Sequence, residues 1–190
     1  MRQGVALAAA ALVASVIHAQ GAFTAEALMR ELAAQPAATV AFTETRHSTA
    51  LKSPLVTTGE LAFERPSRLE RRVTAPVEER YVVAGDQVTI ERKGAPPRTL
   101  ALASQPALAG FLESIRATLR GDLETLRRLY RVDLAGEARD WSLVLLPADA
   151  DLAGLIVSIR IAGSGARITG MEVVETSGDR VVTRFGGAPR

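Results

Sequence analysis

The chain has 190 residues, 47% hydrophobic and 23% charged, which suits one folded domain of ordinary size. Cysteine is absent, which excludes disulfides, thiolate metal sites, cysteine catalysis and lipid attachment to a cysteine. There are only two histidines, His18 and His47, which disfavours catalysis or metal binding based on histidine. The 23 basic and 21 acidic residues give a charge of +2, too small and too mixed to indicate a nucleic-acid partner.

The first nineteen residues have the pattern of a secretory signal. Arg2 precedes an apolar run from Val5 to Ile17, and small residues around Ala19 suit signal peptidase. The run is too short to span a bilayer comfortably, although an uncleaved anchor is the alternative interpretation. We therefore expect residues 1–19 to be a cleaved signal, residues 20–190 to form a single domain, and the mature protein to be periplasmic and monomeric.

A short helix and a series of strands are predicted next. Thr24 can cap a helix that runs to about Gln35 and ends at Pro36. Alternating residues then predict a strand around Val40–Thr45, and the polar stretch from Arg46 to Thr58 resembles a loop. Four more strands, separated by turn residues, complete an antiparallel meander: Gly59–Glu64, Arg68–Thr74, Glu79–Val83 and Gln87–Arg92.

Two helices interrupt the strands midway. One begins at Ser104–Pro106, and Asp122 caps a second, which carries Leu123, Leu126, Leu129 and Tyr130. Strands return at Trp141–Leu145, Ile156–Ile161, Ile168–Glu175 and Arg180–Phe185. The expected architecture is α+β: one curved antiparallel sheet with an N-terminal helix and a helical insertion.

No convincing catalytic or metal-binding set is present in the sequence. Ser164 lies in Gly163-Ser164-Gly165, which lacks the nucleophile-elbow pattern and indicates a hairpin turn. Asp149 and Asp151 lack the further ligands of a calcium loop, and a helix-capping turn is the better interpretation. We expect neither an enzyme nor a bound cofactor.

Several segments together resemble the LolA family of periplasmic outer-membrane lipoprotein carriers. The most specific is Gly59-Glu60-Leu61-Ala62-Phe63-Glu64-Arg65-Pro66, followed by Val82–Val88 and, after the helical insertion, Asp140–Pro147. The resemblance covers nearly the whole mature chain and points to a divergent branch of the family. It implies an incomplete antiparallel β-barrel, closed by helices around an apolar cavity that holds acyl chains.

Arg65 shares one face of its predicted strand with Leu61 and Phe63, because side chains alternate along a strand. An inward charge is costly unless it is paired or hydrogen-bonded. The residues alone leave open that Arg65 simply emerges into solvent before Pro66. The resemblance implies instead that Arg65 holds the helical lid shut by hydrogen bonds to helix carbonyls.

The expected cavity lining combines the inward faces of the strands and helices, although ordinary core packing would produce the same apolar stripes. The lining residues are Leu28, Leu32, Val40, Phe42, Leu61, Phe63, Leu69, Val88, Leu108, Phe111, Leu112 and Ile115.

Four arginines are candidate contacts for a head group or a partner. Arg71 lies where the family often carries aromatics; it can contact a polar or anionic head group or lie at the barrel rim in water. Arg127, Arg128 and Arg131 are predicted on one face of the second short helix. That face can dock to an acidic partner or to anionic lipids, or it can be solvated.

The first functional hypothesis is a soluble carrier of lipoprotein acyl chains or other lipid-like cargo. The resemblance implies that it receives the cargo from an inner-membrane export complex and delivers it to an outer-membrane acceptor. The second hypothesis is a sensing module that binds a lipid or a lipoprotein and regulates an envelope partner. An enzyme that acts on lipid is a third, disfavoured by the missing catalytic set.

Overall fold

The computed structural model describes residues 23–186, and the predicted signal at residues 1–19 lies outside them. The helices are α1 (Ala25–Ala33), α2 (Pro106–Arg120), α3 (Leu123–Leu129) and α4 (Ala150–Ala153). The strands of the first half are β1 (Ala38–His47), β2 (Leu55–Glu64), β3 (Arg68–Ala75), β4 (Glu79–Ala84), β5 (Gln87–Arg92) and β6 (Arg98–Ala101). Those of the second half are β7 (Tyr130–Glu137), β8 (Asp140–Pro147), β9 (Ile156–Ser164), β10 (Arg167–Glu175) and β11 (Arg180–Phe185).

The eleven described strands form one antiparallel sheet that does not close on itself. Its order is β6-β5-β4-β3-β2-β1-β11-β10-β9-β8-β7, so two meanders meet where β1 pairs with β11. The outer edges are β6 and β7, and the chain crosses from one to the other through α2 and α3. The predicted α+β fold, an incomplete antiparallel barrel covered by helices, is therefore confirmed.

The helix ends follow from their capping residues. The Thr24 hydroxyl accepts a hydrogen bond from the Ala27 amide and begins α1. Gly121 ends α2 in the left-handed conformation, with φ of 73°, which favours glycine. Asp122 caps α3, and Asp149 caps α4 as the sequence predicted.

The structure corrects three sequence assignments. Residues 46 and 47 and residues 55–58 are strand rather than loop, because Arg46 pairs with Leu55 in the β1–β2 ladder. The strand β6 was not predicted; its four residues pair with β5. The second insertion helix ends at Leu129, and Tyr130 begins β7, where it pairs with Pro147. The four-residue β6 is too short to show a side-chain pattern. The alternating strand β7 was not predicted either, because its first two residues were assigned to the helix.

Two apolar clusters divide the interior. The larger one joins α1 and α3 to the second meander, with Leu28, Leu126, Leu143 and Ile159 at its centre. The smaller one lies in the first meander, and the partly buried side chains of α2 pack against it. Its buried members are Phe63, Leu69, Val83, Val88 and Leu102.

A buried arginine fixes α2 to the first meander. Arg116 is 6% exposed, and its Nε and Nη2 donate to the Ser67 and Gly85 carbonyls at 2.8 and 3.0 Å. These carbonyls belong to the β2–β3 and β4–β5 turns, so one side chain joins the helix to two hairpins. Burial lowers the pKa of Arg116, since water no longer solvates its charge.

We expect Arg116→Leu to lower the free energy of unfolding by about 2–4 kcal/mol, because two carbonyls would lose a charged donor. Arg128→Leu, on an exposed face of α3, should change it by no more than about 0.5 kcal/mol. Urea unfolding followed by circular dichroism measures both. Equal effects of the two substitutions would show that Arg116 does not fix α2.

Candidate functional site

An apolar cavity of about 380 Å³ lies between the inner face of the sheet and α2. This volume falls within the range of small-molecule binding sites. Both meanders contribute: Leu61 and Val83 come from the first, and Ile161 and Met171 from the second. The cavity therefore depends on the β1–β11 junction, which brings the two meanders into one curved wall.

Nine of the twelve predicted lining residues line this cavity: Val40, Phe42, Leu61, Leu69, Val88, Leu108, Phe111, Leu112 and Ile115. The other three are not among its lining residues. Leu28 and Leu32 are 0% and 4% exposed and belong to the core between α1 and the second meander. Phe63 is 7% exposed in the smaller apolar cluster. Their placement corrects the prediction, because a stripe that packs cannot be told from one that lines a cavity by spacing alone.

The sequence did not indicate the cavity wall formed by the second meander. Ile161, Ile168, Met171, Thr183 and Phe185 line the cavity from β9, β10 and β11. Period-two alternation within each strand was visible, but it does not tell which strands share a wall.

Arg65 joins the ends of two helices to the end of β2. Its Nε donates to the Gln35 carbonyl at 3.0 Å, and its Nη2 donates to the same carbonyl at 2.8 Å. Nη2 also reaches the Leu32 carbonyl at 3.1 Å and, more weakly, the Leu119 carbonyl at 3.4 Å. Leu32 lies in the last turn of α1 and Leu119 in the last turn of α2.

These acceptors suit a cation. Carbonyls at helix C-termini carry a partial negative charge. The guanidinium also lies 5.9 Å from the centre of the Phe63 ring, a cation–π distance. The Phe63 ring therefore contacts the Arg65 guanidinium and does not line the cavity as predicted. Whether the Arg65 contacts act as a lid closure stays a prediction.

A charged pair interrupts the apolar lining. Arg71 and Glu44 both line the cavity, and their Nη2 and Oε1 atoms are 2.9 Å apart. Their side chains are 29% and 20% exposed, so Arg71 is half-buried in the cavity wall and still reaches solvent. The Arg71 guanidinium lies 4.7 Å from the centre of the Phe42 ring and 5.8 Å from that of Tyr81.

Hydroxyl groups hold the carboxylate of this pair. Thr57 donates to Glu44 Oε1 at 3.4 Å, and Thr183 donates to Glu44 Oε2 at 3.3 Å. Both threonines lie directly opposite Glu44 in the register, on β2 and β11. Glu44 was not among the predicted site residues, although it shares its strand face with Val40 and Phe42. A charged residue at an inward position of an otherwise apolar strand face was the sequence feature that could have identified it.

Tyr81 lies between the Glu44–Arg71 pair and a second ion pair, Glu79–Arg92. Its hydroxyl donates to Glu79, whose other oxygen accepts from Arg92 Nε at 2.6 Å. The Tyr81 and Arg92 hydrogen bonds lower the pKa of Glu79, and burial raises the pKa of Tyr81. Glu79 is therefore ionised and Tyr81 protonated at neutral pH.

The three arginines of the second insertion helix do not form one helix face. Arg131 lies on β7 and pairs with Asp133 at 3.2 Å. Arg127 pairs with Glu26 of α1 at 2.7 Å, and Arg128 is 3.5 Å from the Thr125 hydroxyl. The expected shared face is thus wrong for Arg131, because the helix ends before it. Docking of an acidic partner or anionic lipids by any of the three stays a prediction.

Among residues 23–186, no helix is long and apolar enough to cross a membrane. No group of three or more histidine, aspartate or glutamate side chains in that range is placed to hold a metal ion.

Comparison with known proteins gives a family match. A sequence model described as "Outer membrane lipoprotein carrier protein LolA-like" matches residues 17–190. The search of curated proteins finds no match.

The solved structures that match this chain include a LolA superfamily protein from Nitrosomonas europaea. It is 10% identical, with 87% of this chain and 93% of that chain covered and a TM-score of 0.47. A putative outer membrane lipoprotein-sorting protein domain from Vibrio parahaemolyticus is 7% identical, with coverage of 80% and 84% and a TM-score of 0.38. The family assignment itself rests on the sequence match over residues 17–190.

Proposed function

The chain belongs to the LolA-like family of outer membrane lipoprotein carrier proteins, and from that premise we propose that it is a periplasmic carrier. It takes up the acyl chains of a lipoprotein or of another lipid-like cargo in its apolar cavity. It then releases the cargo to an acceptor at the outer membrane. The signal pattern of residues 1–19 supports export to the periplasm.

The observation that carries this proposal is the apolar cavity between the sheet and α2. Side chains such as Leu61, Leu112 and Ile168 line it, and few polar groups interrupt them. Each buried CH₂ group of an acyl chain is worth about 0.8 kcal/mol, so a chain can leave a membrane for such a cavity. Binding and release of this kind need no catalytic group.

Arg65 supplies the means of release in this proposal. Its bonds to the Leu32, Gln35 and Leu119 carbonyls hold the ends of α1 and α2 against β2. Because α2 forms one wall of the cavity, cargo that pushes α2 outward must break these bonds. The empty protein then regains them when the cargo leaves, which favours delivery over retention.

Filling the cavity should block binding. In Leu112→Trp the larger indole ring occupies cavity space, and we expect affinity for the neutral apolar dye phenylnaphthylamine to fall about tenfold or more. Leu155→Trp is the matched control, because Leu155 is 40% exposed and lies outside the cavity lining. Fluorescence titration of both folded variants measures the difference. Equal affinities in the two variants would exclude this cavity as the binding site.

Removing the tether should have the opposite effect on affinity. We expect Arg65→Leu to bind lipid about tenfold more tightly, since the closed empty state loses its charged hydrogen bonds. The same substitution should lower the melting temperature of the empty protein. Transfer of bound lipid to acceptor vesicles, followed by fluorescence, should be slower.

Arg72→Leu is the control for that experiment, because Arg72 is exposed on β3 and makes none of these helix contacts. If Arg65→Leu releases lipid as quickly as Arg72→Leu does, Arg65 is not the closure residue.

A further inference from the structure

The charged pair in the cavity wall has no part in holding an acyl chain. Glu44 and Arg71 lie among apolar lining residues, where a charge loses part of its hydration. Such a pair is weak evidence for stability, because apolar residues of similar size often serve the fold as well. A charged pair in the wall of a ligand cavity is better explained by a ligand that carries a polar group next to the pair.

Arg71 is held in place but not saturated. Among the described residues its guanidinium makes one hydrogen bond, from Nη2 to Glu44, while Phe42 and Tyr81 flank it. The Nε and Nη1 donors are thus left to solvent when the cavity is empty. An acyl chain that displaces this water must bring an acceptor for them, since an unpaired buried donor is costly.

The charged side chains around Arg71 neutralise one another. Glu44 neutralises Arg71, and Glu79 neutralises Arg92, with Tyr81 between the two pairs. A free carboxylate or phosphate at Arg71 would place a second negative charge beside Glu44. The hydroxyls of Thr57 and Thr183 hold Glu44 in place, so the two negative charges would repel each other at the free donors of Arg71. An uncharged acceptor carries no such cost.

Resting on the proposed acyl-chain cavity, we propose that Glu44 and Arg71 form a head-group site that selects uncharged polar heads. The ligand class is an acyl chain joined to an ester, an amide or a hydroxyl-bearing group. Arg71 donates to its carbonyl or hydroxyl oxygen, and Glu44 accepts from any hydroxyl or amide N–H. Free fatty acids and alkyl phosphates are disfavoured by the negative charge of Glu44.

Three amphiphiles with the same chain test this selection: monolauroylglycerol, laurate and lauryl phosphate. Each displaces phenylnaphthylamine from the full mature protein at neutral pH, below its micelle concentration. We expect the wild-type protein to prefer monolauroylglycerol over both anions by about tenfold, the size of one charge-assisted hydrogen bond. A wild-type preference for an anion, or no preference, overturns the inference.

Glu44→Gln is the decisive variant, because it keeps the shape and frees the charge of Arg71. We expect its preference to shift toward the anions by about tenfold or more. Arg71→Met should weaken monolauroylglycerol about tenfold and the anions further, since Glu44 then stands unpaired. Arg72→Met, on the outer face, is the matched control and should leave every ratio unchanged.

The outcomes separate the two proposals. If no amphiphile and no dye binds to the wild-type protein, the carrier cavity itself fails and this inference fails with it. If all three bind but Glu44→Gln leaves their ratios within about twofold, the cavity stands and the head-group site is wrong. Phenylnaphthylamine affinity reports whether each variant keeps an intact cavity, and the wild-type ratios decide the matter if a variant does not fold.

Discussion

The structure depends on one side chain that meets three separate segments. Arg65 stands at the end of β2 and donates to carbonyls at the C-termini of α1 and α2, over the ring of Phe63. An open sheet of eleven strands cannot cover its own inner face, so the helices must do so, and they need a fixed position to leave a cavity. Arg116 fixes the middle of α2 from within, with 6% exposure, whereas Arg65 is exposed. The buried contact suits permanent packing, and the exposed one suits a bond that breaks and reforms.

The cavity wall then combines two kinds of recognition. In our account, apolar side chains from both meanders and from α2 accept an acyl chain without regard to its identity. The Glu44–Arg71 pair adds direction and choice, because hydrogen bonds reject ligands that cannot satisfy them. In our account, the apolar surface supplies affinity, the charged pair supplies selectivity, and the Arg65 tether sets the balance between holding and releasing.

Sequence reasoning reached most of the fold because alternation and turn residues mark antiparallel strands clearly. It missed β6, which has only four residues. It also missed β7, whose side chains do alternate, because Tyr130 and Arg131 were assigned to a helix that extended past Leu129. Leu28, Leu32 and Phe63 show the limit for the site, since a packed residue and a lining residue share the same pattern. Glu44 could have been found from its place in the Val40–Phe42 alternation. Arg116 could not, because its acceptors are backbone carbonyls of distant turns.

The most direct test is amide hydrogen exchange with the cavity empty and filled. In this account, bound lipid breaks the Arg65 bonds to the Leu32, Gln35 and Leu119 carbonyls, so the last turns of α1 and α2 become less protected. Saturation with monolauroylglycerol should therefore speed exchange in those two turns and leave β8 and β9 unchanged. Equal or slower exchange there, with the cavity filled, would contradict the claim that Arg65 closes it.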